Sequence, residues 1–63
     1  MPYMIIVATV DKVDRTYARE FTFIPTDTEE ENFVNAARKD AGINAIMHPV
    51  RNMQDRPGNF QLI

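Results

Sequence analysis

Residues 3–10, Y-M-I-I-V-A-T-V, form the longest apolar stretch in the chain, and polar turn residues follow it directly. β-branched and aromatic side chains dominate, which predicts a strand. Its odd positions are Tyr3, Ile5, Val7 and Thr9, and its even positions are Met4, Ile6, Ala8 and Val10. Both sets are apolar, so this strand is expected to be central and covered on both faces. Residues 11–15, D-K-V-D-R, suit a polar hairpin loop. The pattern then alternates over 16–24, with Tyr17, Arg19, Phe21 and Phe23 on one face and Ala18, Glu20, Thr22 and Ile24 on the other. This predicts a second strand, antiparallel to the first, with Phe21 and Phe23 directed into the core.

Pro25 ends that strand because it has no N–H to give a ladder. The next residues predict a helix over 26–41. Thr26 and Glu29 have capping-box spacing, with Thr28 and Glu31 as a shifted alternative. Phe33, Val34, Ala37 and Ala41 form one helical stripe, while Glu31, Asn32, Asn35, Arg38 and Lys39 lie off it. Carboxylates crowd the first turn and Arg38 and Lys39 the last, which suits the helix dipole at both ends. Gly42 suits the stop, with Ile43 folding back against the helix as in a Schellman motif. Residues 45–50 predict a third strand that Pro49 pushes to an edge or shortens. Residues 51–59 are rich in turn formers, and Pro57-Gly58 fits the centre of a type II turn. Residues 60–63, F-Q-L-I, offer a short terminal strand. The expected fold is small α+β in β-β-α-β-β order: an antiparallel sheet of three to four strands with one helix on one face.

One helix covers one sheet face, yet the first strand is apolar on both. An uncovered apolar face attracts another surface. The expectation is a homodimer, or docking of another protein, through the face that the helix leaves open. Met4, Ile6 and Ala8 are the candidate partner-binding residues on that face, provided the helix takes the odd set. Glu29, Glu30 and Glu31 are the charged candidates at the helix start. The chain has 63 residues, no cysteine and a formal net charge of −2, so disulfides and Cys-based zinc sites cannot supplement a thin core. The basic residues are spread along the chain, which argues against a generic nucleic-acid binder. No apolar run approaches the ~20 residues of a membrane helix, and no signal-peptide pattern appears. The cytoplasm is the expected compartment.

Candidate chemistry is sparse. Consecutive helical side chains diverge by ~100°, so Glu29, Glu30 and Glu31 cannot all face one ion, and no metal or cofactor is expected. His48 is the only histidine and the chain lacks Ser as well as Cys, so an ordinary strand role is expected for it. Arg56-Pro57-Gly58-Asn59 precedes no helix and suits a turn rather than a phosphate loop. Tyr17, Arg19, Phe21 and Phe23 have the composition of a strand that stacks bases of a single-stranded nucleic acid. The opening Met-Pro-Tyr-Met-Ile-Ile-Val resembles the start of the tautomerase superfamily. That resemblance implies a catalytic amine at Pro2, assisted by an arginine such as Arg38 or Arg51, and a helix directly after the first strand. The residues read by themselves favour a non-enzymatic interaction module: a small acidic adaptor, regulator or inhibitor of the kind phage or accessory elements encode. A single-stranded nucleic-acid binder is the second reading and the tautomerase the third.

Overall fold

A computed structural model describes residues 2–63. The strands β1 (Tyr3–Val10) and β2 (Val13–Glu20) pair antiparallel along their whole length, from Tyr3↔Glu20 to Val10↔Val13. The helix α1 (Asp27–Ala41) follows, then the short strands β3 (Ile46–Met47), β4 (Arg51–Met53) and β5 (Gln61–Leu62). β3 and β4 both lie against β1, and β5 joins the far side of β2. The result is the expected small α+β fold, with one helix on a mostly antiparallel sheet; β5 adds one parallel pairing, to β2.

The hairpin is tighter than the expected loop over 11–15. Asp11 and Lys12 alone make the turn, with φ of 51° and 67°. Two successive positive φ values are the type I′ pattern, whose twist matches paired strands. β2 therefore begins at Val13 and reaches the end of β1 at Glu20. One further bond, from the Phe21 N–H to the Pro2 carbonyl at 2.9 Å, closes the base of the hairpin. Beyond it there is no partner strand, so 21–24 is not part of the sheet. Phe21 still packs against the core, but Phe23 is 81% exposed and Ile24 91%. Phe23 is thus not the core residue its alternation predicts.

The helix starts as its capping box requires. Thr26 Oγ1 accepts the Glu29 N–H at 3.2 Å, and the Glu29 carboxylate accepts from the Thr26 N–H. At the other end the Gly42 N–H reaches the Arg38 carbonyl at 2.8 Å. Gly42 has φ 112°, a conformation that suits a residue without Cβ. Its extended ψ then sends Ile43 outward, 88% exposed, so the expected Schellman contact does not form. Ala45, whose N–H bonds to the Gly42 carbonyl, brings the chain back to the core instead.

The core lies between α1 and one face of the β1–β2 hairpin. Phe33 and Ala37, one turn apart, pack on Met4, Ile6, Ala8 and Tyr17, all buried. The helix therefore takes the even face of β1. Met4, Ile6 and Ala8, expected as partner-binding residues, are core side chains beneath it. Tyr17 and Phe21 share this covered face, and the Arg19 guanidinium lies 5.6 Å from the Phe33 ring centroid. The alternative reading of 17–23 as a base-stacking strand finds no support in this placement, because Tyr17 is fully buried beneath the helix.

Pro49 splits what would be one strand beside β1. Met47 stands opposite Ala8 and Arg51 opposite Ile5, so Ile6 and Val7 face three residues, His48, Pro49 and Val50. That extra residue is a bulge, placed where proline has no N–H for the ladder. The His48 N–H still bonds to the Val7 carbonyl at 2.9 Å.

Two outcomes follow from this packing. Phe33→Ala should cost about 3–5 kcal/mol, enough to unfold much of a marginally stable domain; a thermal melt within a degree or two of the parent would refute the placement of Phe33. Tyr17 donates its hydroxyl to Asp40 Oδ2 at 2.8 Å. Burial first, and this bond second, raise its pKa above the usual 10.0, with Arg15 opposing. The folded chain holds the phenolic proton where the unfolded chain releases it. Tyr17 therefore stabilises fully below pH 10, and that stability drains as pH climbs through the raised value. Tyr17→Phe should cost about 1 kcal/mol at neutral pH and flatten the alkaline loss in denaturant titrations.

Candidate interaction face

The helix-free face carries the odd residues of β1, and it is stepped. From Met53 the chain crosses this face to β5 on the opposite edge of the sheet. On the way the Phe60 ring meets Tyr3 edge-on, centroids 6.5 Å apart, and Arg56 lies 5.4 Å above the Phe60 ring. This crossing accounts for the burial of Ile5 and Ala18 on a face that no helix covers. At the end of the crossing the chain ties down on the helix side: the Ile63 N–H bonds to the Ala18 carbonyl at 3.1 Å, and Arg19 Nε donates to Ile63 O at 2.8 Å.

The crossing covers one half of the face and stops. Beyond its tip lies a concavity of about 610 Å³. Its floor is Ile5, Val7 and Thr16; Met53, Pro57 and Gly58 wall one side, and His48 and Pro49 another. Asp14 and Arg51 bring one charge of each sign to its margin. Ile46 and Leu62, both more than half exposed, extend the apolar surface along the two sheet edges. A second, smaller hollow of about 290 Å³ lies at the Tyr3 end among Phe21, Ile24, Pro25 and Met53.

A hydrogen-bonded chain lines the open half. Thr9 Oγ1 donates to Asp14 Oδ1 at 2.7 Å and lies 2.9 Å from His48 Nε2. The hydroxyl has one proton, and an ionised carboxylate can only accept. With that proton on Asp14, Nε2 must carry the hydrogen it shares with Thr9. His48 is therefore an oriented member of this face rather than the ordinary strand residue expected. Thr9 is held beside Asp14 by the hairpin register, and the Pro49 bulge follows His48. The imidazole is thus aligned with a hydroxyl whose proton points to a carboxylate.

The charged candidates at the helix start remain apart from this face. Glu29 is engaged in the cap, Glu31 is exposed, and Glu30 is half-buried. No group of three or more His, Asp or Glu side chains among the described residues could hold a metal. Pro2 precedes β1, and a strand rather than a helix follows it, so the fold implied by the tautomerase resemblance is not the fold here. Arg38 lies in the last helical turn, whereas Arg51 lies in β4. No helix among the described residues is long and apolar enough to cross a membrane. The chain matches no protein-family model, no curated protein and no solved structure.

The Thr9 geometry has a direct spectroscopic consequence. Long-range ¹H–¹⁵N correlation at neutral pH should show a His48 ring protonated at Nε2. Thr9→Val should move the His48 Nε2 and Hε2 resonances while leaving the fold intact; unchanged Nε2 and Hε2 resonances in the variant would refute the hydrogen bond.

Proposed function

We infer that this chain is a small protein-interaction module that acts by binding another protein through its helix-free face. The observation that carries this reading is the stepped concavity: an apolar floor of Ile5 and Val7 bordered by Asp14, His48 and Arg51. An apolar centre with a polar margin is the anatomy of a protein interface. The open face replaces Met4, Ile6 and Ala8 as the site of contact, because those three are core. The acidic helix start plays the lesser part, since Glu29 is already spent on the cap.

Val7→Glu tests the reading, because it places a charge in the middle of the floor without touching the helix-covered core. The parent, Val7→Glu and Glu30→Gln are used as baits in a lysate of the source organism, endogenous copies of this chain included among the captured proteins. Circular dichroism verifies that each bait is folded. The expected result is a partner held by the parent and by Glu30→Gln and lost from Val7→Glu. Equal retention on all three baits would place the contact elsewhere and overturn the reading.

A further inference from the structure

We propose that the protein received on the helix-free face is a second copy of this chain, joined by a two-fold axis that passes over Val7. This rests on that face being the interface. Three observations carry it.

The first is shape. The crossing segment raises one half of the face, and the concavity lowers the other. A surface with one raised and one lowered half is complementary to itself under a two-fold rotation at the step. The Pro57–Gly58 tip of each copy then enters the hollow of the other. A flat or uniformly concave face would not have this property.

The second is charge. Asp14 in β2 stands beside Thr9 of β1, and the Arg51 position in β4 stands beside Ile5 on the other flank of β1. Val7 is midway along β1 between those two positions. At ordinary strand spacing and rise, Asp14 and Arg51 lie diagonally about 16 Å apart with Val7 at the centre. A two-fold axis in the plane of the interface, through Val7 and perpendicular to that diagonal, exchanges the two positions. Asp14 of each copy then meets Arg51 of the other, and the same axis exchanges the raised half with the lowered one. Arg51 is exposed, and Asp14 Oδ2 is left over after Oδ1 accepts from Thr9.

The third is area. The chain exposes 4627 Å². A folded monomer of 7.3 kDa is expected to expose about 4,200 Å². The molecule is also a plate, 33 × 25 × 16 Å, whose broad face is comparable with the ~800 Å² each partner gives to a standard interface.

Sedimentation equilibrium at about 0.15 M salt tests this with reciprocal charge reversals. The parent should have twice the 7.3 kDa chain mass at high micromolar concentration. Asp14→Arg and Arg51→Asp should each weaken the dimer at least about tenfold, because like charges then meet at both symmetric contacts. An equimolar mixture of the two variants should recover the dimer, because every contact again joins opposite signs. A separate measurement avoids these variants. A spin label on Gly58→Cys, where a Cβ has open space, should broaden the Val7 and Thr16 amides of an unlabelled ¹⁵N copy. A parent that stays monomeric at about 1 mM overturns the proposal. So does a dimer that survives both reversals, a mixture that does not recover it, or a label that leaves Val7 and Thr16 unbroadened. None of these outcomes touches the broader module reading, which falls only if the Val7→Glu bait keeps what the parent keeps.

Discussion

A single helix can shield only one face of a sheet, and the arrangement of this molecule follows from that constraint. Phe33 and Ala37 settle on the side of β1 that carries Met4, Ile6 and Ala8, and Tyr17 completes the layer from β2. The opposite side is then left to whatever the rest of the chain can supply. It supplies the segment after Met53, which crosses over Tyr3 and buries Ile5 and Ala18 before β5 ties it down beside β2. The segment is too short to cover the Val7–Thr9 half as well. The candidate interface is thus the part of the sheet left over when both covers have been placed.

Backbone chemistry decides where those covers fall. The two-residue turn at Asp11 and Lys12 brings Thr9 opposite Asp14, and so sets one end of the hydrogen-bonded chain through Thr9. Pro49 cannot donate to the ladder, and the bulge around it separates His48, which bonds to Thr9, from Arg51, which stands beside Ile5. If all of residues 48–50 were paired regularly, with no bulge, Arg51 and Met53 would sit one register position further along β1 and point to the helix side, because side chains alternate along a strand. A proline at a sheet edge therefore governs which charges border the open face.

The proposed binding role rests on the make-up of this face. Its titratable groups are singly placed, and its one histidine is aligned with a hydroxyl already committed to a carboxylate. The apolar floor, the opposite charges at diagonal positions and the Pro57–Gly58 tip are the features the proposed interface uses. Eight apolar residues are buried among those described, so the proposed interface would supplement a small core.

Local signals determined the elements that depend on neighbours in sequence. The Thr26–Glu29 box, the Phe33–Ala37 stripe and Gly42 are contacts within one helix or at its ends, so helix bounds and buried face were legible from spacing alone. The strand character of β1 and the β-β-α-β-β order were legible for the same reason. Three features were not. Asp11-Lys12 lacks the glycine that marks a type I′ turn, so the pattern alone predicts a longer hairpin loop and a β2 running to Phe23 and Ile24, where no partner strand exists. Both faces of β1 are apolar, so composition gave no preference for the set that the helix would cover; packing chose the even one and buried Met4, Ile6 and Ala8. The arrangement of Thr9, Asp14 and His48, with Arg51 further along the same face, draws on three strands and the bulge between β3 and β4, and it depends on register. Only the tertiary structure could assemble it, because hydrophobic period reports which side a residue faces and not what stands beside it across the sheet.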